Sequence, residues 1–321
     1  MNITKEIRES AKKIKATIIL PEANLDSRVA SACEIILENN LANLIIFGKS
    51  SEFSSKITNN PNCKIIDIES YENLSTFTTQ LYELRKHKGL TLEQASELVK
   101  NPAYFAMVML KNNLADGVVA GAKFTTADTL RPALQIIKTK PGKKSVVGSM
   151  IMAKENEKPL VFADVSLIEK PDSETLAEIA VSSAEFMGKV LNIEPKVAML
   201  SYSTKGSAKS EMVELVQRAT EIAKQSKYLI EGEMQVDSAL DISTATKKGV
   251  TSQVGGNANV LVFPDLNAGN IGYKLVARLG GYTAIGPIML NFNKPVNDLS
   301  RGCTVEEIVD TVCITKLQIE Q

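Results

Sequence analysis

Short β-branched runs alternating with longer amphipathic stretches predict an α/β fold with a largely parallel sheet. Three observations carry that expectation. The apolar runs end at turn residues, the stretches between them repeat apolar residues at helical spacing, and the alternation continues through nearly all 321 residues. In chain order, strands are expected at Ala16 to Leu20, Leu44 to Phe47, Lys64 to Ile68, Gly117 to Ala120, Ser145 to Ile151, Leu160 to Ala163, Lys196 to Leu200 and Asn259 to Phe263. Helices are expected at Arg28 to Glu38, Leu74 to Lys86, Leu92 to Val99, Ala103 to Lys111, Glu174 to Leu191, Lys209 to Gln225 and Ile271 to Leu279.

No Gly/Ser-rich tether or internal repeat divides the chain, so domain boundaries are sought at turns. Thr139 to Lys144 is the clearest turn, and a return crossover near Asn291 to Pro295 would carry the last helix back to the first domain. The expected domains are therefore 1–141 with 292–321, and 142–291, with a cleft between them. Ligands of such folds bind beyond the carboxyl ends of strands, which directs attention to the loops there.

Composition narrows the function classes. With 44% hydrophobic and 23% charged residues the chain is of ordinary globular type, and no apolar run is long enough for a membrane span. The N-terminal Met1 to Glu6 has no secretory pattern, so a cytoplasmic location is expected. Cys33, Cys63, Cys303 and Cys313 are widely spaced, which disfavours a disulfide framework or a cysteine-built zinc site. The 37 basic and 37 acidic residues cancel, so no global field invites nucleic acid, and any anion must be held locally. His87 is the only histidine, which excludes chemistry that needs two.

Four segments could carry chemistry. From Asp116 to Gln135 a strand ends in small residues, Thr125, Thr126 and Thr129 follow, and a helix is expected to open with Pro132 in its first turn. Free backbone N–H groups there, with Arg131 beside them, suit a phosphate oxygen, although threonine capping alone accounts for the same pattern. The junction Ser201 to Ser207 repeats the theme with Ser203, Thr204 and Lys205, and by itself reads equally as an ordinary turn. No Walker sequence or G-x-G-x-x-G is present. Phe263 to Lys274, with Asn270 and Lys274, offers a third strand-to-helix turn.

The fourth segment is Asn297 to Ile308. Thr304 and Glu307 have the spacing of a capping box, while Ser300 and Arg301 stand just before that helix, where they could stabilise a negatively charged oxygen. Arg85, Lys86, His87 and Lys88 form a basic cluster at a helix end, suited to that helix terminus or to a polyanionic tail. Arg28, after the Pro21 to Ser27 turn, reads as a surface arginine near the sheet edge.

Taken together the segments resemble the phosphate acetyltransferase family. The matching stretches are ELRKHKGLTLEQA from Glu83, DGVVAGAKFTTADTLRPALQIIKTKPG from Asp116, LAEIAVSSAEF from Leu176, KVAMLSYSTKGSA from Lys196, NVLVFPDLNAGNIGYKLVARLGG from Asn259 and KPVNDLSRGCTVEEIV from Lys294. The resemblance implies two three-layer α/β domains like those of the isocitrate and isopropylmalate dehydrogenases, a homodimer, and an active site in the cleft. It implies exchange of an acetyl group between acetyl phosphate and coenzyme A, by direct thiolate attack in a ternary complex, without metal or bound organic cofactor. Coenzyme A, acetyl phosphate and inorganic phosphate are the implied partners. In that scheme Ser300, Arg301 and Glu307 are catalytic. Arg28, Arg85, Thr126, Arg131, Ser203, Thr204, Asn270, Lys274 and Asp298 bind substrate, with Thr126 and Ser203 on the phosphoryl group.

Two departures from the family pattern are visible. Glu307 stands where the family has an aspartate, and Glu231-Gly232-Glu233 begins with glutamate where an aspartate is expected. A free thiol titrates at about 8.5 and a free glutamic acid at about 4.3, so proton transfer to Glu307 is uphill by roughly 6 kcal/mol before any tuning. Three rival functions stand beside this one. A phosphate butyryltransferase differs only in apolar pocket residues, an NAD-linked decarboxylating dehydrogenase lacks its fingerprint and acidic cluster here, and a non-catalytic sensor could retain the phosphate contacts.

Overall fold

The computed structural model describes residues 3–319. The chain divides into two compact units, a first made of Thr4–Pro141 with Phe292–Gln321 and a second made of Gly142–Asn291 with Met1–Ile3. The chain starts with α1 (Ile3–Lys12), β1 (Thr17–Leu20), α2 (Ser27–Glu38), β2 (Asn43–Phe47), α3 (Ser55–Thr58) and β3 (Cys63–Ile66). It continues with α4 (Leu74–Arg85), α5 (Leu92–Leu98), α6 (Pro102–Lys111), β4 (Gly117–Ala120) and α7 (Thr126–Pro132). The second unit holds β5 (Val147–Ala153), β6 (Leu160–Ala163), α8 (Ser173–Lys189), β7 (Lys196–Leu200), α9 (Glu211–Ala223) and β8 (Leu229–Met234). It closes with α10 (Val236–Leu240), α11 (Ile242–Lys247), β9 (Val260–Val262), α12 (Leu266–Gly280) and β10 (Thr283–Leu290). Finally β11 (Val296–Asp298) and α13 (Val305–Leu317) complete the first unit.

The first sheet runs β11-β4-β1-β2-β3, and every pair in it is parallel. Successive residues of β1, β2 and β4 point to opposite faces and nearly all are buried, so helices cover both faces and the layering is threefold. The second sheet runs β10-β5-β6-β9-β7-β8, with β5 antiparallel to both its neighbours and the remaining pairs parallel. The α/β class expected from periodicity is the observed one.

Strand order in the first sheet reverses at β1, which has β2 on one side and β4 on the other. The turns after β1 and β4 therefore leave the sheet at a topological switch point, the usual place for a ligand. The register pairs Asp298 with Ala120, so the loop after β11 leaves at the same level. Behind these turns, Phe47, Tyr71, Phe77 and Phe105 pack edge-on or tilted at centroid separations of 5.2 to 5.4 Å.

Three strands escaped the periodicity criterion. β8 reads LIEGEM, with charges inside the strand; β10 contains Gly286-Pro287 and a register shift between Ile285 and Ile288; β11 is three residues long. The helix expected to open near Pro132 opens instead at Thr126. Thr125 and Asp128 form a capping box there, and Pro132 ends α7, leading into a π-helical turn over Ala133–Ile137. Among the described residues no helix is long and apolar enough to cross a membrane.

Candidate active site

The turn between β1 and α2 supplies two charged side chains that organise the switch point. Glu22 is 1% exposed, and its carboxylate accepts four consecutive backbone N–H groups. Oε2 takes those of Gly121 at 2.7 Å and Ala122 at 3.0 Å, and Oε1 those of Lys123 at 2.8 Å and Phe124 at 2.6 Å. The backbone donors of the loop before α7 are thus occupied by an internal carboxylate, whereas the helix start offered to a phosphate begins at Thr126. Their role is to fix the path of the chain from β4 into α7.

Arg28 ties the same region to the loop after β11. Its Nη1 donates to the carbonyls of Arg301 at 2.9 Å and Cys303 at 2.7 Å. Its Nη2 donates to Ala122 O at 2.9 Å and Asp26 Oδ2 at 2.7 Å, and its Nε to Asp26 Oδ1 at 3.1 Å. A guanidinium has five N–H donors, and all five are used here. Expected as a substrate contact, Arg28 has no donor left to offer and instead holds the Ser300 to Cys303 loop in place. Asp26 also caps α2, accepting from Arg28 N at 2.9 Å, and the Arg28 side chain holds its carboxyl below the usual range.

The loop so held presents Ser300 and Arg301 to solvent. Ser300 Oγ accepts from Gly302 N at 3.3 Å, and the Arg301 guanidinium makes no ion pair or hydrogen bond with the described residues. Next to them, Thr304 and Glu307 form the expected capping box of α13: Thr304 N donates to Glu307 Oε2 at 2.8 Å, and Glu307 N to Thr304 Oγ1 at 3.2 Å. Burial pushes the Cys303 thiol up to about 11, with Arg28 pulling the other way, so this cysteine is not a ready nucleophile.

Asp298, the last residue of β11, is 1% exposed. Its Oδ2 accepts the hydroxyl of the exposed Thr126 at 2.7 Å, whereas Oδ1 has no hydrogen-bond partner. The Thr129 hydroxyl comes close enough to favour the carboxylate but completes no hydrogen bond. Arg131 and Arg85 form no ion pair with the described residues either, and both lie near Tyr104. Burial raises the Tyr104 hydroxyl, and these two cations oppose the shift. Tyr104 in turn donates to Gln135 Oε1 at 3.1 Å.

The remaining expected site residues belong to the second unit. Ser203 is fully buried; its hydroxyl donates to Glu233 Oε1 at 2.9 Å and accepts from Ala208 N at 3.1 Å. Glu233 also takes Gly206 N at 2.7 Å and Gln217 Nε2 at 3.1 Å. Thr204 Oγ1 accepts from Gln235 N at 3.0 Å, and Lys205 pairs with Glu231 at 2.8 Å. On α12, Asn270 donates to Val165 O at 2.9 Å and accepts from Lys274 at 2.8 Å. Ser203, Thr204 and Asn270 thus spend polar groups within the second unit, whereas the exposed Lys274 gives one of its three donors to Asn270. The structure gathers Ser300, Arg301, Glu307, Arg28, Thr126 and Asp298 around one sheet edge of the first unit. Sequence analysis missed Glu22 and Glu233 as loop anchors, because neither a glutamate in the turn after β1 nor one inside β8 carries a local signal of partners far away in the chain.

Exposed hydroxyls and unpaired arginines, carried on backbone that buried carboxylates and Arg28 hold rigid, define an α/β protein able to receive an oxyanion at a sheet edge. A family model for phosphate acetyl/butaryl transferases matches residues 2–316. A phosphate acetyltransferase of Clostridium acetobutylicum is 46% identical over 335 residues, covering 100% of this chain and 99% of the relative. Among solved structures, a phosphotransacetylase from Streptococcus pyogenes gives a TM-score of 0.92 at 43% identity, over 99% of this chain and 98% of that one. The EutD phosphotransacetylase from Staphylococcus aureus gives 0.89 at 40% identity, over 99% of each. The chain belongs to the phosphate acetyl/butaryl transferase family.

Proposed function

We propose that this chain is a phosphate acetyltransferase that transfers an acetyl group reversibly between acetyl phosphate and coenzyme A. The observation that carries this reading is the exposed Ser300-Arg301 pair, its guanidinium unpaired, on a loop whose carbonyls Arg28 holds. The family membership supplies the acyl and phosphate chemistry.

In the forward step the coenzyme A thiolate attacks the acetyl carbonyl and phosphate departs. Charge develops on the carbonyl oxygen, and Arg301 with the Ser300 hydroxyl stabilises it there, where fixed donors act without reorganising. Glu307 receives the thiol proton. Its Oε2 serves the helix cap and its Oε1 is the free acceptor. The roughly 6 kcal/mol gap between free thiol and free carboxyl falls as the cationic Arg301 and the α13 N-terminus favour the thiolate. Thr126 contacts the phosphoryl group, and Arg85 and Arg131 serve the phosphates of coenzyme A. Arg28 acts as a positioning residue. Ser203, Thr204, Asn270 and Lys274 would join substrate binding by exchanging present internal bonds for ligand bonds. An acyl phosphate already carries a good leaving group, so the scheme needs no metal or organic cofactor.

The two units serve as the two domains, and the location is cytoplasmic. Association as a homodimer is supported by the outer stripe of α12, where Ile271, Leu275 and Leu279 stand 57%, 52% and 83% exposed at helical spacing. The test of activity is acetyl coenzyme A formation from acetyl phosphate and coenzyme A, read as thioester absorbance with EDTA present. Rapid turnover is expected. Preference for butyryl phosphate would reassign the acyl group, and coenzyme A binding without turnover on either acyl phosphate would overturn the catalytic reading.

A further inference from the structure

Two buried carboxyl groups flank Gly121. Glu22 gives all four of its lone-pair positions to backbone N–H groups. Asp298 is different: among the described residues its carboxylate completes one hydrogen bond, from Thr126 to Oδ2, Oδ1 is buried and completes none although the Thr129 hydroxyl is near, and no cation pairs with it. Gly121 permits their approach, since at its φ of +110° a Cβ would lie 2.3 Å from Asp298 Oδ1. Of the two carboxylates, Asp298 is the one whose buried charge is stabilised by a single completed hydrogen bond.

The other oxygen of Asp298 accepts the hydroxyl of Thr126 at 2.7 Å. A hydroxyl has a single hydrogen. While Thr126 gives it to Asp298, the exposed side of Thr126 offers only lone pairs, which a phosphoryl oxygen cannot use.

We propose that Asp298 is a positioning residue that takes up one proton from solvent when a phosphoryl group docks on Thr126. The proton goes on Oδ2, the oxygen 2.7 Å from Thr126 Oγ1, so that the new O–H donates to Thr126 Oγ1 and the Thr126 hydroxyl hydrogen turns to the phosphoryl oxygen, while Oδ1 becomes the carbonyl oxygen. One bond to hydrogen in hydronium or a buffer acid breaks as the Oδ2–H bond forms, and no other covalent bond changes. The inference rests on the proposed contact between Thr126 and the phosphoryl group.

The electrostatics agree with this arrangement. Burial already raises Asp298 to about 6, the Thr126 hydroxyl pulls it down, and the Glu22 carboxylate adds to the rise. Glu22, from the turn after β1, is the charged group that faces it; α7 contributes Thr126 and Thr129, and the chain after β11 the backbone of Leu299. A docked phosphoryl dianion adds a further negative charge and raises the group again.

The test is the KM for acetyl phosphate between pH 6.5 and 8.5, above the last phosphoryl pKa of about 6 so that the substrate keeps its charge. The wild-type KM is expected to rise at least fivefold over that range as Asp298 loses its proton. In Asp298→Asn the side-chain amide donates to Thr126 at every pH, and the KM should change less than twofold. A flat wild-type KM, which needs no variant to fold, overturns the inference. So does a KM in Asp298→Asn that climbs with pH as steeply as the wild type. Thr126→Val separates the two levels. If its KM equals that of the wild type at every pH, the Thr126 contact itself is wrong; if its KM rises while the wild-type KM is flat, only the role of Asp298 falls.

Discussion

The loop after β4 in the first unit and the loop after β7 in the second are built on one plan and left in different states. In each, a buried glutamate from a neighbouring strand end or turn fills the backbone amides of a strand-to-helix junction: Glu22 over Gly121 to Phe124, Glu233 over Gly206 and the Ser203 hydroxyl. In the first the anchor uses backbone alone, and although the exposed Thr126 gives its hydroxyl hydrogen to Asp298, the exposed guanidinium groups of Arg131 and Arg301 pair with none of the described residues. In the second the anchor also consumes the side chain of Ser203. A buried carboxylate therefore does not mark a ligand site. What distinguishes the two loops is which side chains remain unspent once the backbone is satisfied.

The largest effect should fall on the unspent cation. Arg301→Ala is expected to lower kcat by about two to three orders of magnitude with the circular dichroism spectrum unchanged, as for loss of one preorganised oxyanion donor. A near-normal kcat would remove the contrast between the loops. Arg28→Ala acts one step back by releasing the carbonyls of Arg301 and Cys303, and should lower kcat by about 10² with KM values within threefold. Added guanidinium should restore part of that rate, and Arg28→Lys should restore little because an ammonium cannot reproduce the planar fork. Absence of rescue would turn Arg28 into a purely structural residue.

Smaller effects concern the anchors. Glu22→Gln replaces an acceptor of four N–H bonds with a group that is half donor, and should cost about 3 kcal/mol of stability in urea unfolding. The pH dependence of stability should have opposite signs at the two buried acids Glu233 and Asp298. Burial opposes ionisation of Glu233, but hydrogen bonds from Gly206, Ser203 and Gln217 outweigh it and hold its carboxyl below the usual range. Its contribution is present above the unfolded pKa of about 4.3 and is lost as pH falls through the lowered folded value. Asp298 is raised, so its contribution is present below about 3.9 and is lost as pH rises toward about 6. Asp298→Asn should therefore be more stable than the wild type above pH 6, by about 2 kcal/mol in urea titrations at pH 7. An unchanged difference between pH 4 and pH 7 would contradict the raised value.

Local sequence revealed those parts of this fold that rest on local physics. The runs at Thr17–Leu20, Asn43–Phe47 and Gly117–Ala120 are apolar enough to require burial, and the stretches between them have helical period. The capping box of Thr304 and Glu307 was legible because its hydrogen bonds span three residues. β8, β10 and β11 were not, since strands with internal charges, a Gly-Pro break or three residues are specified by their neighbours in the sheet rather than by their own pattern.

Segment identity alone pointed to Ser300, Arg301, Thr126 and Asp298, and to a family defined by those motifs. Only the tertiary structure decided which of them are free. Arg28 and Arg301 are both arginines beside turns, and nothing in the sequence states that one spends all five donors inside the molecule while the other spends none. Whether a polar group is available depends on partners distant in the chain: Glu22 lies 99 residues from Gly121, and Arg28 273 residues from Arg301. Sequence determines the chemical groups present. Long-range hydrogen bonding, set by the strand order, determines which of them face outward uncommitted.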